Sequence, residues 1–343
     1  MNRKILVTGG AGFIGSNFLN YWSKFYPDDL LYVIDNLTYA GNLSNIKNLI
    51  DGSKIKFIKV DIANKKNLEN IFHEHSINHI INFAAESHVD RSIMSPSCFI
   101  KTNIEGTFNL LDIFTNYWFK NNSPNEWRFL HISTDEVFGS LSIDAEKFDE
   151  NSPYKPRSPY SASKAASDHL VMAWFHTYNL PVIVSNCSNN FGPYQHPEKF
   201  IPKTITNFLL GKDIPIYGNG ENIRDWLFVN DHVKALENIL LNASPGSNFC
   251  IGGDEEINNI DLVKKICKIL DNLIPDPKKN NKNNLIKFIK DRPGHDFRYS
   301  INSKKIKQEL NWKPITKLDD GLVKTIKWYI DNKNWWKSIV FDD

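Results

Sequence analysis

Two carboxylates stand side by side at Asp135 and Glu136, in the stretch STDEVFG (133–139), directly after the apolar run Phe129-Leu130-His131-Ile132. Like charges that close repel, so one carboxyl of such a pair holds its proton at a pH where the other is ionised. An acid and a base on neighbouring residues suit a reaction that removes one proton while protonating a departing group. Successive side chains of an extended strand point to opposite faces, so the chain must turn at 134–136 if both carboxyls are to reach one substrate. A second pair, Tyr160 and Lys164, has the i, i+4 spacing that places both side chains on one face of a helix. An ammonium beside a phenol favours the phenolate, lowering its pKa from about 10 and making it a base near neutrality. Tyr329 and Lys333 repeat the spacing near the C-terminus. Only Tyr160, however, opens a helix that follows a strand ending in Ser133-Thr134, where a hydroxyl can stand beside the phenol.

A third feature is the glycine turn Gly9-x-x-Gly12-x-x-Gly15, between the apolar stretch KILVTGG (4–10) and FIGSNFLNYWSKFY (13–26), whose apolar residues recur at helical spacing. Small residues there let a pyrophosphate approach backbone N–H groups at the positive end of the helix. Asp35 ends the second strand stretch, 20 residues after Gly15, and Asp61-Ile62 end the third. A carboxylate at Asp35 is placed to accept both ribose hydroxyls of an adenosine and repels a 2′-phosphate. The expected cofactor is therefore NAD rather than NADP.

These groups need a frame. Apolar stretches at 4–10, 30–36, 55–62, 77–85, 127–134 and 181–192 read as strands, with helical patterns at 13–26, 98–119 and 160–179 among them. Continuous apolar strands separated by helices imply a parallel sheet covered on both faces. The expected class is α/β, a Rossmann-like doubly wound parallel sheet with a smaller, mixed α/β C-terminal substrate domain. The first domain is expected over 1–189, with returning segments at about 228–252 and 310–326. The second takes 190–227 and 253–309, where Pro, Gly and Asn become frequent and DPKKNNKNN (276–284) reads as a polar loop. A length of 343 residues suits two domains. Lys plus Arg (41) against Asp plus Glu (39) leaves a net charge of +2, which gives no reason to expect nucleic acid or an acidic membrane as partner. Cys98, Cys187, Cys250 and Cys267 are scattered without CxxC spacing, so neither a metal site nor a disulfide framework is expected. With no signal-peptide pattern and no bilayer-length apolar run, a soluble cytoplasmic protein is expected.

Together these motifs resemble the extended short-chain dehydrogenase/reductase superfamily and, within it, the dTDP-glucose 4,6-dehydratase family. The resemblance runs through nearly the whole chain. It is carried by TGGAGFIGSN (8–17), NLTYAGNL (36–43), AAESHVDRSI (84–93), STDEVFG, YSASKAASDHLV (160–171), SNNFGPYQHPEKFIP (188–202), IYGNGENIRDWLFVNDH (216–232) and DRPGHDFRY (291–299).

The resemblance implies a dTDP-glucose substrate, NAD as a cofactor that is not consumed, and a homodimer with helices 98–119 and 160–179 in contact. It implies Tyr160, with Lys164, as base at the C4 hydroxyl, Thr134 as a hydrogen-bond donor to the C4 oxygen, Glu136 as base at C5 and Asp135 as acid at the C6 hydroxyl. Cofactor contacts are implied at Gly9, Gly12, Phe13, Ile14, Gly15, Asp35, Asn36, Leu37, Thr38, Asp61, Ile62, Ala84, Ala85, Thr102 and Asn190, besides Tyr160 and Lys164. Substrate contacts are implied at Ser87, His88, Thr134, Asn189, Lys199, Phe200, Pro215, Ile216, Tyr217, Arg224, Asn259, Arg292, His295 and Asp296. Arg224 reads as the diphosphate clamp, since guanidinium binds phosphate through two parallel hydrogen bonds. For Ile216 and Phe200 plain core packing is an equal reading, and His88 is either a contact or structural. UDP- and GDP-sugar dehydratases share the Asp-Glu logic. Nucleotide-sugar 4-epimerases and decarboxylases share the glycine turn and Tyr160-Lys164 but have no use for an acid at C6. A non-catalytic dinucleotide-binding regulator on the same fold is a further alternative.

Overall fold

The computed structural model describes residues 2–275 and 282–342. In its first half the chain alternates strand and helix through β1 (Lys4–Thr8), β2 (Leu30–Asp35), β3 (Ile55–Lys59), β4 (His79–Asn82), β5 (Arg128–Thr134) and β6 (Val182–Cys187). The second half adds β7 (Asn189–Phe191), β8 (Ile214–Tyr217), β9 (Ile223–Phe228), β10 (Asn248–Ile251), β11 (Glu256–Asn258), β12 (Ile286–Ile289) and β13 (Arg298–Tyr299). Seven strands form one parallel sheet in the order β3-β2-β1-β4-β5-β6-β10. Its strands are apolar almost throughout because both faces are covered. Ile5 and Val7 pack with Phe18 and Trp22 of helix Phe13–Phe25 and Leu236 of helix Val229–Asn242. Leu6 and Ile34 pack on the other face with Phe72 of helix Lys65–His75 and Phe114 of helix Thr107–Lys120. Each such side chain contributes about 1.5–3 kcal/mol by leaving water.

The strand order reverses between β1 and β4, which opens a crevice at the carboxyl ends of the strands. Thr8 Oγ1 donates to Asn82 Oδ1 across that junction (2.6 Å) and accepts from the Ala84 N–H (3.1 Å). The helix expected over 98–119 is built in three pieces: Pro96–Phe99, a wide π-turn Ile100–Gly106, and Thr107–Lys120. Asn103, inside the wide turn, accepts from the Glu86 N–H (2.9 Å) and donates to the Glu86 carbonyl (3.1 Å) and to Ser163 Oγ (2.8 Å). The altered turn thus ties the loop after β4 to the helix Pro159–Tyr178.

In the second half β9 pairs antiparallel with β11 and parallel with β13 and β7, while β12 pairs with β8. Phe191, Ile216, Trp226, Leu262 and Ile326 belong to its core. Trp312 packs with the first core, but Leu318, Leu322 and Ile326 pack with the second, so the return expected over 310–326 ends before residue 318. Helix Leu318–Asp331 turns its apolar side to helices Phe200–Leu210 and Asn259–Leu273, not to the sheet. Most of the 276–284 stretch lies outside the described residues.

Three buried histidines make stability depend on pH. Burial lowers His79 and His131 to about 4 and His232 to about 3. Between about pH 6.5 and 4 the unfolded chain binds protons that the folded chain refuses, so their contribution is complete above about 6.5 and lost as pH falls. Each costs about 1.4 kcal/mol per pH unit in that window. The raised Asp135 carboxyl acts with the opposite sign, so the histidine contribution is read by comparison: from pH 7 to pH 5 the melting temperature of His232→Asn should fall less, or rise more, than that of wild type.

Candidate active site

The glycine turn is a cradle that a side chain would fill. Gly9 has φ +66°, and a Cβ there would lie 2.7 Å from the Ala84 nitrogen. A Cβ at Gly15 would lie 2.5 Å from the Gly9 carbonyl oxygen. Gly12 caps helix Phe13–Phe25 without a side-chain cap hydrogen bond, and Gly12, Phe13, Ile14 and Gly15 line the cleft, so the positive end of the helix lies at it. Asp35 is held rigidly: Oδ2 accepts from the Ala11 N–H (3.0 Å) and Oδ1 from the Leu37 N–H (2.8 Å). Leu37 thus serves Asp35 through its backbone. Phe13, Ile14, Asn36, Thr38, Asp61, Ile62, Ala84, Ala85, Thr102 and Asn190 line the same cleft, about 320 Å³ in volume. The open N–H groups and the fixed carboxylate one strand away fit the phosphates and ribose of a dinucleotide.

The carboxylate pair lies at the far end of the cleft. β5 stops at Thr134, and Asp135–Phe138 form one turn of 3₁₀ helix, with Thr134 Oγ1 accepting from the Glu136 N–H (3.2 Å). This turn breaks the strand's alternation and brings Asp135 and Glu136 to one cleft, together with Thr134, Tyr160 and Lys164. Their environments differ. Burial first, then the charges of Glu136 and Asp225, push Asp135 well above the usual carboxylate range. Burial also raises Glu136, but Arg292, Arg224 and Lys199 pull it back. The pair is therefore sorted into a protonated Asp135 and a more readily ionised Glu136, by burial and by cations on one side as well as by mutual repulsion.

Tyr160 differs from the expectation drawn from its spacing. Burial and the neighbouring Glu136 charge hold its phenol well above 10, and the Thr134 hydroxyl is the group that favours its ionised form. Lys164 Nζ donates to the Ile132 carbonyl (2.9 Å) and lies 3.2 Å from His131 Nε2. Among the described hydrogen bonds none joins Lys164 to the phenol. The Ile132 carbonyl, within β5, is the backbone acceptor of the ammonium.

The cations that act on Glu136 are Arg292, Arg224 and Lys199. Lys199 Nζ donates to the Ser87 carbonyl (2.9 Å), and Ser87 and Asn189 line the cleft. Arg224 is buried with its guanidinium 4.3 Å from the Tyr299 ring centre. Its Nη1 donates to the Ile223 and Phe297 carbonyls and its Nη2 to the Asp296 carbonyl. Of its five donors, Nε–H and one Nη2 hydrogen remain to face an anion. Arg292 lies 3.6 Å from Asp90, which also accepts from Tyr217 (3.2 Å). His295 Nδ1 lies 2.6 Å from Asp291, and Asp296 accepts from Tyr299 and pairs with Arg157. His88 caps helix Val89–Met94 and lies 3.5 Å from Glu198. Phe200 stacks on Trp226, and Asn259 opens helix Asn259–Leu273. Pro215 sits in β8, half-buried. Ile216, expected as a substrate contact, has a fully buried side chain that packs in the second core. Gln195 and His196, which also line the cleft, and Tyr299 beneath Arg224 were not expected. Tyr299 stands three residues from Asp296 within the DRPGHDFRY block, and that proximity was the one available signal.

Comparison with known proteins agrees with this geometry. The family profile described as GDP-mannose 4,6 dehydratase matches residues 6–325. A dTDP-glucose 4,6-dehydratase of Neisseria meningitidis serogroup B is 49% identical over 98% of this chain and 96% of its own. One of Escherichia coli is equally similar, at 49% identity over the same shares. The crystal structure of a dTDP-glucose 4,6-dehydratase from Streptomyces venezuelae superposes with a TM-score of 0.88 at 40% identity, covering 98% of this chain and 99% of that one. A UDP-glucose 4-epimerase of Thermotoga maritima shares the architecture, with a TM-score of 0.84 at 26% identity over 97% of this chain and 100% of that one. With its paired carboxylates turned into a dinucleotide-shaped cleft and relatives matched from end to end, the chain belongs to the dTDP-glucose 4,6-dehydratase family.

Proposed function

We propose that the protein is an NAD-dependent hydro-lyase that converts dTDP-glucose to dTDP-4-keto-6-deoxyglucose and water. The observation that carries this reading is the 3₁₀ turn that presents to the cleft beside Tyr160 an Asp135 pushed well above the usual carboxylate range by burial and a Glu136 whose rise Arg292, Arg224 and Lys199 oppose. The crevice at β1 and β4 holds NAD, with Gly9, Gly12 and Gly15 at its phosphates and Asp35 at the adenosine ribose. NAD supplies a hydride acceptor that becomes the hydride donor later in the same turnover.

The chain's own groups move the protons. Tyr160 takes the C4 hydroxyl proton while Thr134 steadies the C4 oxygen. The ketone at C4 acidifies the C5 proton, which Glu136 removes. Asp135 protonates the C6 hydroxyl, which leaves as water, and Glu136, after exchanging its proton with solvent, protonates C5 again. NAD, when bound, would bring positive charge that favours the Tyr160 phenolate which burial disfavours. Segments 190–227 and 253–309 supply the nucleotide-sugar grip, with Arg224 and Arg292 at the diphosphate. A 4-epimerase needs no acid at C6, so a buried, protonated Asp135 favours the dehydratase. The solved Streptomyces venezuelae relative holds NAD and dTDP, which supports the choice of nucleotide. Incubation with dTDP-, UDP- and GDP-glucose tests the reading: a 4-keto sugar should form from dTDP-glucose without net NADH. Preferential turnover of another nucleotide would reassign the substrate.

Asp35→Ala should weaken the preference for NAD over NADP, because the carboxylate both accepts the ribose hydroxyls and repels a 2′-phosphate. Equal affinity of the unaltered protein for both cofactors, measured by titration of cofactor-free protein, would overturn that role. Arg224→Lys keeps the charge and loses the fork, so binding of dTDP should weaken by about 1–3 kcal/mol in calorimetry. An unchanged dissociation constant would remove Arg224 from the clamp.

The protein is further proposed to act as a homodimer in the cytoplasm. Ile100 and Phe108 on the helical segment 96–120 are exposed, and Phe108 meets Trp174 of helix Pro159–Tyr178 edge to face. Sedimentation of wild type and Phe108→Glu tests the pairing. Among the described residues no helix is long and apolar enough to cross a membrane, and all four cysteines are free.

A further inference from the structure

Behind the reacting groups lies a buried charge that the mechanism above does not use. Asp168 is 1% exposed, His131 0% and Lys164 3%. Asp168 stands four residues beyond Lys164 and eight beyond Tyr160 in helix Pro159–Tyr178, on the same stripe. Its Oδ1 lies 3.3 Å from His131 Nε2, the atom that Lys164 Nζ approaches to 3.2 Å. Its Oδ2 accepts from Ser133 Oγ (2.7 Å), Tyr154 OH (3.0 Å) and Asn186 Nδ2 (3.0 Å). Ser133 is the residue before Thr134, and the Asn186 amide also donates to the Thr134 carbonyl (3.1 Å). One carboxylate therefore touches the end of β5, which carries Thr134, Asp135 and Glu136, and approaches the same imidazole nitrogen as the lysine of the Tyr160 helix.

We propose that Asp168 is a positioning residue that balances the buried Lys164 charge through His131 and locks the two halves of the active site, the Tyr160 helix and the end of β5, to each other. The inference rests on the dehydratase reading, because it assigns Lys164 the task of supporting a phenolate.

The surrounding groups leave Asp168 alone in this role. Lys164 faces His131 on β5, Cys187 on β6 and Tyr160 on its own helix. Burial keeps His131 neutral near neutrality, at about 4, and pushes the Cys187 thiol up to about 12. The phenol of Tyr160 is held protonated. Asp168, despite burial, is drawn below the usual carboxylate range by His131, Lys164 and the Ser133 hydroxyl. It is thus the one ionised acid facing this ammonium among the described residues. Burial lowers Lys164, and Asp168 is the first of the groups that raise it. A buried cation stripped of its only counter-charge gives up its proton instead.

The test uses the NAD-loaded protein and compares Asp168→Asn with wild type and Asp168→Glu. Asn keeps the size and a hydrogen-bond acceptor but not the charge. The expected result for Asp168→Asn near neutral pH is a kcat lower by about tenfold or more with KM almost unmoved. The alkaline edge of its kcat profile should move at least about one pH unit towards acid, because Lys164 loses its proton sooner. A second readout needs no turnover: the ultraviolet titration of the Tyr160 phenol, taken as the difference from the same protein carrying Tyr160→Phe. Its midpoint should rise by about one unit in Asp168→Asn, and Asp168→Glu should restore most of both displacements. A profile and titration that superpose on wild type, or a loss confined to KM, would overturn the proposal. If Asp168→Asn does not fold, His131→Gln, which removes the bridge and spares the carboxylate, must show the same displacements or the proposal fails. Failure of the underlying reading is separate, since wild type would then form no 4-keto sugar at any pH.

Discussion

Glu136→Gln is expected to arrest the reaction halfway, with NADH and a 4-ketoglucose nucleotide trapped together on the enzyme. Glutamine keeps the shape of Glu136 and the packing of the 3₁₀ turn but has no basicity at C5. Tyr160, Lys164 and the cofactor cradle are untouched, so oxidation at C4 proceeds. Overall turnover should fall by about 10²–10⁴, the usual share of a general base, while near-ultraviolet absorbance of bound NADH builds in a single turnover. Asp135→Asn should also stop before reduction at C6, because hydroxide leaves poorly without an acid. It differs in one respect: Glu136 remains, so exchange of the C5 proton with solvent persists. In wild type run in D₂O, deuterium should enter the product at C5, whereas a label placed at C4 should arrive at C6 of the same molecule. A Glu136→Gln protein that neither builds NADH nor slows, or a C4 label that washes into free cofactor, would remove the carboxylate pair from the mechanism.

Tyr160→Phe should leave binding intact and slow the first step by a similar factor, about 10²–10⁴. Phenylalanine preserves the edge-to-face contact with Phe99, at 6.3 Å between ring centres, so the fold loses little. The phenol is held protonated by burial and by Glu136, so its ionisation depends on charge supplied within the cleft. Turnover of wild type should therefore climb with pH through the range where the phenolate forms, and that climb should vanish in the Phe variant. Dissociation constants for dTDP and NAD serve as the control. Near-normal turnover of Tyr160→Phe across pH would assign the base elsewhere.

Much of this site is local in sequence and could be read there. The glycine turn, Asp35 at the end of β2, and the Tyr160-Lys164 stripe each follow from spacing along one element. The need for a bend at 134–136 follows from strand geometry alone, and the 3₁₀ turn supplies it. What sequence could not reveal depends on contacts between elements. The split between Asp135 and Glu136 comes in part from Arg224, Arg292 and Lys199, all distant from the pair in sequence. Lys164 meets a strand carbonyl rather than the phenol because the depth of its helix against β5 is set by packing. Ile216 carried equal readings as contact and as core, and its neighbours in three dimensions decide for the core. The wide turn at Ile100–Gly106 has no composition cue, since it answers to Asn103 reaching the Glu86 backbone.

The end of β5 has a consequence for how such a protein can change over generations. Thr134 pairs in register with Cys187 of β6, and His131 with Asn82 of β4, so the strand is pinned on both sides. A single residue inserted or deleted within it would send every later side chain to the opposite face of the sheet. Thr134, Asp135 and Glu136 would then leave the cleft together. Under the proposed mechanism, point substitutions there would tune or abolish individual proton transfers, but a change in length would remove all of them in one step. The reaction is thus written into the strand's frame, and lineages that keep it must accept insertions elsewhere along the chain.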